Sequence, residues 1–315
     1  MIWLSGGLGL VILLLAGDAL VKGAVNLSLR AGIPAFIVSL TVVAFGTSAP
    51  ELLISVNAAL DNDPGIALGN VVGSNTANIL LVLGVPALIS VIRTSGCEIR
   101  SSYLQMIGAT AIFIALAYRG VFDWLAGLLL LALLFCILGL AVAEGLKRRQ
   151  DTNGVLDEEE PEGADDRMPS WKIILFLGLG IVGLPFGADL MVNSAEQIAH
   201  VFGVSEAAIG LTLVALGTSL PELATTVMAA RRGQADVALG NVVGSNLFNL
   251  LAIIGITTLI VPIDVDPSFL NRDLWVMAGA SLLLIPFLFF SRDLTRFWGV
   301  ILSALYLGYI ALIFS

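Results

Sequence analysis

A stretch of 45 residues occurs twice in this chain and restricts the folds open to it. The copy at 40–84 reads LTVVAFGTSAPELLISVNAALDNDPGIALGNVVGSNTANILLVLG. The copy at 211–255, which begins 171 residues later, reads LTLVALGTSLPELATTVMAARRGQADVALGNVVGSNLFNLLAIIG and aligns without a gap. About 25 of the 45 positions are identical, mostly in GTSxPE and ALGNVVGSNxxN, which indicates an internal duplication. We therefore expect both copies to carry the same chemistry.

The composition indicates an integral membrane protein. Hydrophobic residues make up 58% of the chain and charged residues only 12%, whereas soluble chains carry about 25% charged residues. Apolar runs long enough to cross a hydrocarbon core of about 30 Å recur along the sequence. Much of the net charge of −9 lies in the acidic segment 151–166. We expect the lipid bilayer as a partner and no nucleic acid.

The hydrophobic pattern predicts an all-α protein with ten transmembrane helices. They fall near 2–22, 33–60, 66–92, 102–118, 121–144, 171–195, 206–230, 235–262, 273–290 and 295–314. The chain then divides into an N-terminal half of five helices, an acidic linker and a C-terminal half of five helices. The boundaries are 1–144, 145–170 and 171–315, and each half contains one copy of the repeat.

The basic residues predict the orientation, because cytoplasmic loops are enriched in Lys and Arg. With ten spans, thirteen of the fifteen basic residues fall on the side opposite the termini, and only Arg119 and Arg272 fall on the terminal side. This places both termini outside the cell membrane and the linker 145–170 in the cytoplasm. Five spans per half also give the two halves opposite topology. Inverted repeats are typical of secondary transporters, although bundled channels can also contain repeats.

The GTSxPE motif predicts a broken helix in each half. Pro50 lacks an amide donor and clashes with the carbonyl of Gly46, four residues earlier. Pro221 and Gly217 repeat this arrangement in the second copy. In a membrane the freed carbonyls need new partners unless they line a cavity, and a cation is one such partner. Helices 2 and 7 are therefore expected to be broken.

Glu51 and Glu222 are the carboxylates of the two motifs and lie well inside their predicted spans. Each follows a Thr by four residues, Thr47 or Thr218, which places the two side chains on one helix face. A carboxylate at the centre of a membrane helix costs about 2.5–3.5 kcal/mol and is usually functional. No Lys or Arg lies near the centre of any predicted span. Two carboxylates without a basic partner require a cation.

The GNVVGSNxxN motif adds neutral oxygen ligands at the same depth. Its serine and last asparagine are four residues apart and share a helix face, whereas its other asparagines are expected to pack and bond between helices. The combined set contains no Cys or His and suits Ca²⁺ or Na⁺. The candidate ligands are Glu51, Glu222, Thr47, Thr218, Ser48, Ser219, Ser74, Ser245, Asn78 and Asn249.

Other polar residues receive simpler interpretations. Asp18 and Asp189 keep the 171-residue offset and are expected near helix ends, with a minor role in cation passage at most. His200, the only histidine, is expected to have no function. The chain offers no nucleophile and base pair, no HExxH motif and no phosphate loop, so an enzyme is not expected. The acidic linker lacks EF-hand spacing and is expected to be solvated.

GTSxPE followed by GNxxGSN in two copies resembles the alpha-repeats of the cation/calcium antiporter superfamily, in particular its prokaryotic sodium/calcium exchangers. The resemblance covers the whole predicted ten-span plan. It implies a diamond-like cluster of cation sites between spans 2, 3, 7 and 8, formed by the candidate ligands and the backbone carbonyls of Ala44 and Ala215. It also implies that spans 1 and 6 slide across this core. Some relatives carry Asp at the position of Asn249, so a K⁺ requirement is less expected here.

The sequence thus favours an antiporter that exchanges Na⁺ for Ca²⁺ and uses no cofactor. A fixed charge of −2 balances one Ca²⁺ or two monovalent ions, so either ion type can neutralise the site but not both together. A H⁺/Ca²⁺ antiporter of the same superfamily is the close alternative, because two glutamates also bind protons. A cation channel is a more distant alternative.

Overall fold

The structure, a computed structural model, is almost entirely helical and describes residues 2–61, 64–94, 99–151, 165, 167–201, 215–290 and 292–313. The first six helices are α1 (Ile2–Ala31), α2 (Ala35–Thr47), α3 (Ala49–Leu60), α4 (Gly65–Ile89), α5 (Arg100–Ala117) and α6 (Trp124–Asp151). The remaining six are α7 (Ser170–Val201), α8 (Ala215–Thr218), α9 (Leu220–Arg231), α10 (Ala235–Ile260), α11 (Phe269–Phe289) and α12 (Arg296–Ile313). Most of the predicted linker 145–170 and the start of the second repeat, 211–214, lie outside the described residues.

Seven of the described helices are long and apolar enough to cross a membrane, and an eighth span results if α2 and α3 count as one. The chain is therefore a multi-pass membrane protein. The ten spans expected from the sequence also include α5 and the segment that ends in α8 and α9. Residues 202–214 of that segment lie outside the described part, so the count of ten stays a prediction.

Helix α2 ends where the GTSxPE motif predicts a break. The axes of α2 and α3 differ by 44°, and Ser48 between them has φ −85° and ψ 4°. Ser219 has nearly the same conformation, φ −84° and ψ 1°, between α8 and α9. Pro50 and Pro221 lie in the first turn of the following helix, where their missing amide donor is tolerated. Thr47 and Glu51 therefore belong to separate helices, contrary to the expected shared face.

Helices α1 and α7 pack along each other in opposite directions through small residues. Gly9 lies against Gly187, Ala16 against Gly183 and Leu20 against Gly180, so the residue numbers fall on one helix as they rise on the other. A side chain at Gly9 would lie 2.9 Å from the Gly187 carbonyl oxygen, which only glycine avoids at no cost. Close packing of this kind between membrane helices uses small residues because they allow the backbones to approach.

Helix α1 is longer than the predicted span 2–22, because no Pro or Gly turn interrupts it before Gly32, which has φ 64°. Asp18 is consequently well inside α1 rather than near its end, and Asp189 is likewise inside α7. The expectation that both acids lie near helix ends is wrong. Arg30, which lies between the predicted spans 2–22 and 33–60, belongs to the helix as well.

Short backbone pairs tie the loops together at the helix ends. Strand β1 (Val121–Phe122) pairs antiparallel with β2 (Ile263–Asp264), with Val121 opposite Asp264 and Phe122 opposite Ile263. A further bridge joins Ile92 to Leu294.

In the main apolar core, α10 lies against α2. A methyl group added at Gly244 of α10 would come within 2.6 Å of the Ala44 Cβ of α2. This contact brings the two copies of the repeat together.

Candidate functional site

The predicted ligands are buried and lie on α2, α3, α4, α8, α9 and α10 or in the breaks between α2 and α3 and between α8 and α9. All ten candidate side chains are at most 5% exposed, and the two glutamates are completely buried. Four of them, from both repeats, are joined by hydrogen bonds: Thr47, Ser48, Glu222 and Ser245. The full set is Thr47, Ser48, Glu51, Ser74, Asn78, Thr218, Ser219, Glu222, Ser245 and Asn249.

Glu222 receives hydrogen bonds from both copies of the repeat. Ser48, in the break between α2 and α3, donates from Oγ to Glu222 Oε1 at 3.1 Å. Ser245 of α10 donates from Oγ to the same oxygen at 3.5 Å. The hydroxyls of Thr47 and Ser245 are 3.4 Å apart, which extends the polar cluster to α2. Glu222 Oε2 has no hydrogen-bond partner among the described residues.

Glu51 has the same motif position as Glu222 but a different environment. Neither of its carboxylate oxygens has a hydrogen-bond partner in the described part of the chain. Buried carboxylates are normally hydrogen-bonded or paired with a charge. The two carboxylate oxygens of Glu51 are therefore suited to bind a cation.

Several neutral oxygens of the site are also buried without a described partner. They are the Ser219 hydroxyl and the amide oxygens of Asn78 and Asn249. The Asn78 amide nitrogen is engaged, because it donates to Asn246 Oδ1 at 3.1 Å. The nitrogen of the Asn78 amide group therefore holds the side chain in place, while its oxygen has no partner among the described residues. Buried oxygens without a partner are ligands of the kind that holds Ca²⁺ or Na⁺.

The backbone carbonyls of Ala44 and Ala215 occupy different situations. Ala44 O accepts the amide of Ser48 at 3.0 Å and the hydroxyl of Thr47 at 3.3 Å, so it belongs to the last turn of α2. A carbonyl oxygen has two lone pairs, so these two hydrogen bonds engage both lone pairs of Ala44 O in this structure. Ala215 is the first residue of α8, and the residues before it lie outside the described part.

Two asparagines hold the glutamate-bearing turns in place. Asn70 donates from Nδ2 to the backbone oxygen of Glu51 at 3.2 Å and to Ser55 Oγ at 3.0 Å. The same contacts recur 171 residues later. Asn241 donates from Nδ2 to the backbone oxygen of Glu222 at 3.4 Å and to Thr226 Oγ1 at 3.2 Å. The sequence analysis did not identify Ser55 and Thr226, although each of them follows the glutamate of its own copy by four residues.

The asparagines at the next motif position join the two repeats directly. Asn75 donates to the backbone oxygen of Asn246 at 3.4 Å, and Asn246 donates to the backbone oxygen of Asn75 at 3.5 Å. These residues are also 171 positions apart, so the contact is reciprocal. The expectation that the other motif asparagines bond between helices agrees with these contacts and with those of Asn70 and Asn241.

The only charged side chains among the ten candidate ligands are the two glutamates. None of the ion pairs among the described residues includes Glu51 or Glu222. Among the same residues, no three Asp, Glu, His or Cys side chains are grouped so that they could hold a metal ion. A transition-metal site of soft ligands is therefore not built from the described residues, and the donor set is one of hard oxygens.

A cavity reaches the site from one side. Its volume is about 180 Å³, and it lies between the later part of α7 and the break between α8 and α9. Met191 and Val192 form part of its apolar wall, and Ser219 is a polar residue of its lining. The corresponding residues of α1, Leu20 and Val21, are completely buried. Access to the site is therefore different at the two ends of the helix pair α1 and α7.

Comparisons with known proteins decide the family. The sequence profile described as "Sodium/calcium exchanger protein" matches residues 1–143 and 172–315, which include both copies of the repeat. The chain belongs to the sodium/calcium exchanger family. Members are transporters, so this exchanger is a cation/Ca²⁺ antiporter and not an enzyme.

Relatives cover nearly the whole exchanger. The putative antiporter CaxA of Alkalimonas amylolytica is 37% identical over 98% of this chain and 97% of its own length. The sodium/calcium exchanger MaX1 of Methanosarcina acetivorans is 33% identical over 98% of this chain and 97% of its own. The solved structure of the sodium-calcium exchanger NCX_Mj, soaked with Na⁺ and Ca²⁺, superposes with a TM-score of 0.82 at 33% identity and covers 99% of both chains.

Proposed function

We propose that this exchanger moves Ca²⁺ across the cell membrane in exchange for Na⁺, and that both ions bind between Glu51 and Glu222. The observation that carries the proposal is the buried carboxylate pair, which contacts no described Lys or Arg. An uncompensated buried charge costs about 3–5 kcal/mol. One Ca²⁺ or two Na⁺ balance the two carboxylates, so each ion type displaces the other.

The proposed ligands are oxygen atoms contributed by both copies of the repeat. Ca²⁺ takes about six to eight oxygen ligands, and the carboxylates, hydroxyls and amides of both repeats supply that number. Asn78, Asn249 and Ser219 support this proposal with oxygens that have no partner among the described residues. The complete set is Glu51, Glu222, Thr47, Thr218, Ser48, Ser219, Ser74, Ser245, Asn78, Asn249 and the carbonyls of Ala44 and Ala215.

The halves 1–144 and 171–315 are proposed to have opposite topology, with the acidic linker 145–170 in the cytoplasm and both termini outside. The antiparallel packing of α1 and α7 supports the inversion, because these helices occupy equivalent positions in the two halves. Alternating access then requires α1 and α7 to move together across the helices that carry the glutamates. The cavity beside Met191 is on the extracellular side in this orientation.

The choice of Na⁺ over H⁺ rests on the oxygen ligands other than the glutamates, since a proton needs only a carboxylate. It is also consistent with the relative MaX1, which is named a sodium/calcium exchanger. The test uses proteoliposomes with Na⁺ inside, Ca²⁺ outside and a protonophore present. We expect Ca²⁺ uptake that requires the outward Na⁺ gradient and that K⁺ does not replace.

Two results would overturn the proposal in different ways. Uptake that follows an imposed pH gradient and ignores Na⁺ would identify a H⁺/Ca²⁺ antiporter. Ca²⁺ flux that does not saturate and needs no counter-ion would identify a channel. In either case the Glu51→Gln and Glu222→Gln variants, purified in parallel, show whether the same carboxylates carry the flux.

A further inference from the structure

An ion pair joins α1 to the helix that carries Glu222. Arg232 follows the last residue of α9, and its Nε and Nη2 atoms both lie 2.6 Å from Asp18 Oδ1 of α1. We propose that this pair is a latch that holds one end of the exchanger closed during transport. The proposal rests on the alternating-access part of the proposed function, because a latch requires the two helices to separate.

The latch connects the two parts that must move relative to each other. Helix α1 packs closely on α7 through glycines, so the two helices form one unit. Helix α9 begins with the turn that carries Glu222 and belongs to the ion site. At Gly17, next to Asp18, a side chain would lie 3.1 Å from the Ala224 carbonyl, so the helices are also in backbone contact at this end. Sliding of the α1–α7 unit would break both contacts.

The surroundings of the latch are basic. Arg93 and Arg231 line the same cavity of about 410 Å³ as Arg232. Asp18 therefore compensates one of three guanidinium side chains that line this cavity. The Asp18 and Arg232 side chains are 31% and 20% exposed, so water weakens the pair and keeps it breakable.

The equivalent positions at the opposite end cannot form such a pair. At an offset of 171 residues the counterpart of Asp18 is Asp189, and the counterpart of Arg232 is Asp61. Two acidic side chains repel each other where the first end has an attraction. The chain therefore stabilises closure at one end by a charge pair that the equivalent residues of the other end, Asp61 and Asp189, do not form.

The packing agrees with this difference in charge. Helix α1 packs along α9, whereas the counterpart helices α7 and α3 make at most isolated contacts among their described residues. Ala224 of α9, which contacts α1, is 6% exposed, and its counterpart in α3, Leu53, is 64% exposed. The end with the ion pair is the closed end of this structure.

The latch is tested by the accessibility of the closed end. Val21, completely buried beside the latch, is replaced by Cys in a background in which Cys97 and Cys136 are changed to Ser. Labelling by a membrane-impermeant maleimide from the latch side is timed in ion-free liposomes. We expect Arg232→Gln and Asp18→Asn each to raise the labelling rate about two- to fivefold, the range that an exposed ion pair supports.

Three controls make the result specific. Arg231→Gln removes the neighbouring charge and should leave the rate unchanged, and Arg232→Lys should retain most of the protection. The double variant Asp18→Asn/Arg232→Gln should label no faster than either single variant, because the two residues act as one pair. Monodisperse elution of every variant in detergent shows that the fold is intact.

Unchanged labelling in both single variants, or an equal increase in Arg231→Gln, would refute the latch. Failure of the proposed function is a separate result, since the labelling needs no ion. If Ca²⁺ uptake in the unmodified protein does not depend on Na⁺ while the labelling differences persist, the latch stands and the coupling ion is wrong.

Discussion

The two copies of the repeat place identical glutamates in unequal environments. Glu222 accepts hydrogen bonds from Ser48 and Ser245, whereas both carboxylate oxygens of Glu51 have no partner among the described residues. The asparagine contacts that support the two glutamates are nevertheless the same in both copies. The difference teaches that the duplication fixes the positions of the carboxylates, while the arrangement of the helices around them decides which oxygens are left to bind an ion.

Removing either carboxylate should have the largest effect, because both charges are needed to balance Ca²⁺. We expect Glu51→Gln and Glu222→Gln each to lower Ca²⁺ uptake at least about 100-fold, since an uncompensated buried charge costs about 3–5 kcal/mol. Proteoliposome uptake measures this, with Ser5→Ala as a control that should transport normally. Normal transport by either glutamine variant would show that the two glutamates are not equivalent in function.

The serines of the two breaks should differ in the way that the glutamates do. Ser48→Ala removes the closest hydrogen bond to Glu222 and should raise the apparent KM for Ca²⁺ about tenfold, since a hydrogen bond to a charged group contributes about 1.5–3 kcal/mol. Ser219→Ala removes a hydroxyl with no partner among the described residues and should raise it less, about threefold. An equal or reversed order in initial uptake rates would contradict the comparison.

The helix breaks and the polar set could be predicted because they follow from short-range chemistry. Pro50 and Gly46 identify the break of the first copy, and the absence of basic residues near the span centres identifies an acidic site. The extension of α1 to Ala31 could not be predicted, because a polar helical turn beyond the bilayer resembles a loop in a hydropathy pattern. The pairing of Asp18 with Arg232 also depends on tertiary structure, which brings together residues 214 positions apart.

The asparagine contacts should be equivalent, which tests the half of the comparison in which the copies agree. Asn70→Ala and Asn241→Ala each remove the donor to a glutamate carbonyl, and we expect each to raise the KM for Ca²⁺ about fivefold, as the loss of about 1 kcal/mol implies. Asn57→Ala, at an exposed position of α3, is the matched control. Values that differ by more than about tenfold between the two variants would show that the supports are unequal.

The smallest effect is expected from giving the open end the charge pair that it lacks. Asp61→Arg makes a charge pair with Asp189 possible when the open end closes, and should therefore favour its closure. In alternating access, closure of this end opens the end that carries the latch. The expected change is about twofold faster maleimide labelling of Val21→Cys, within the range of an exposed ion pair. Slower labelling than in the parent would mean that Asp61 and Asp189 do not approach each other during transport.

Equilibrium binding of Ca²⁺ with Na⁺ as competitor tests the central claim most directly, because it examines one shared carboxylate site without transport. Calcium-45 binding to the purified exchanger should saturate at one ion per chain, and Na⁺ should displace it with a Hill coefficient above one, since two Na⁺ replace one Ca²⁺. Glu51→Gln and Glu222→Gln should each abolish the binding. Calcium binding that Na⁺ leaves unchanged, or that survives both substitutions, would contradict a common site between the two glutamates.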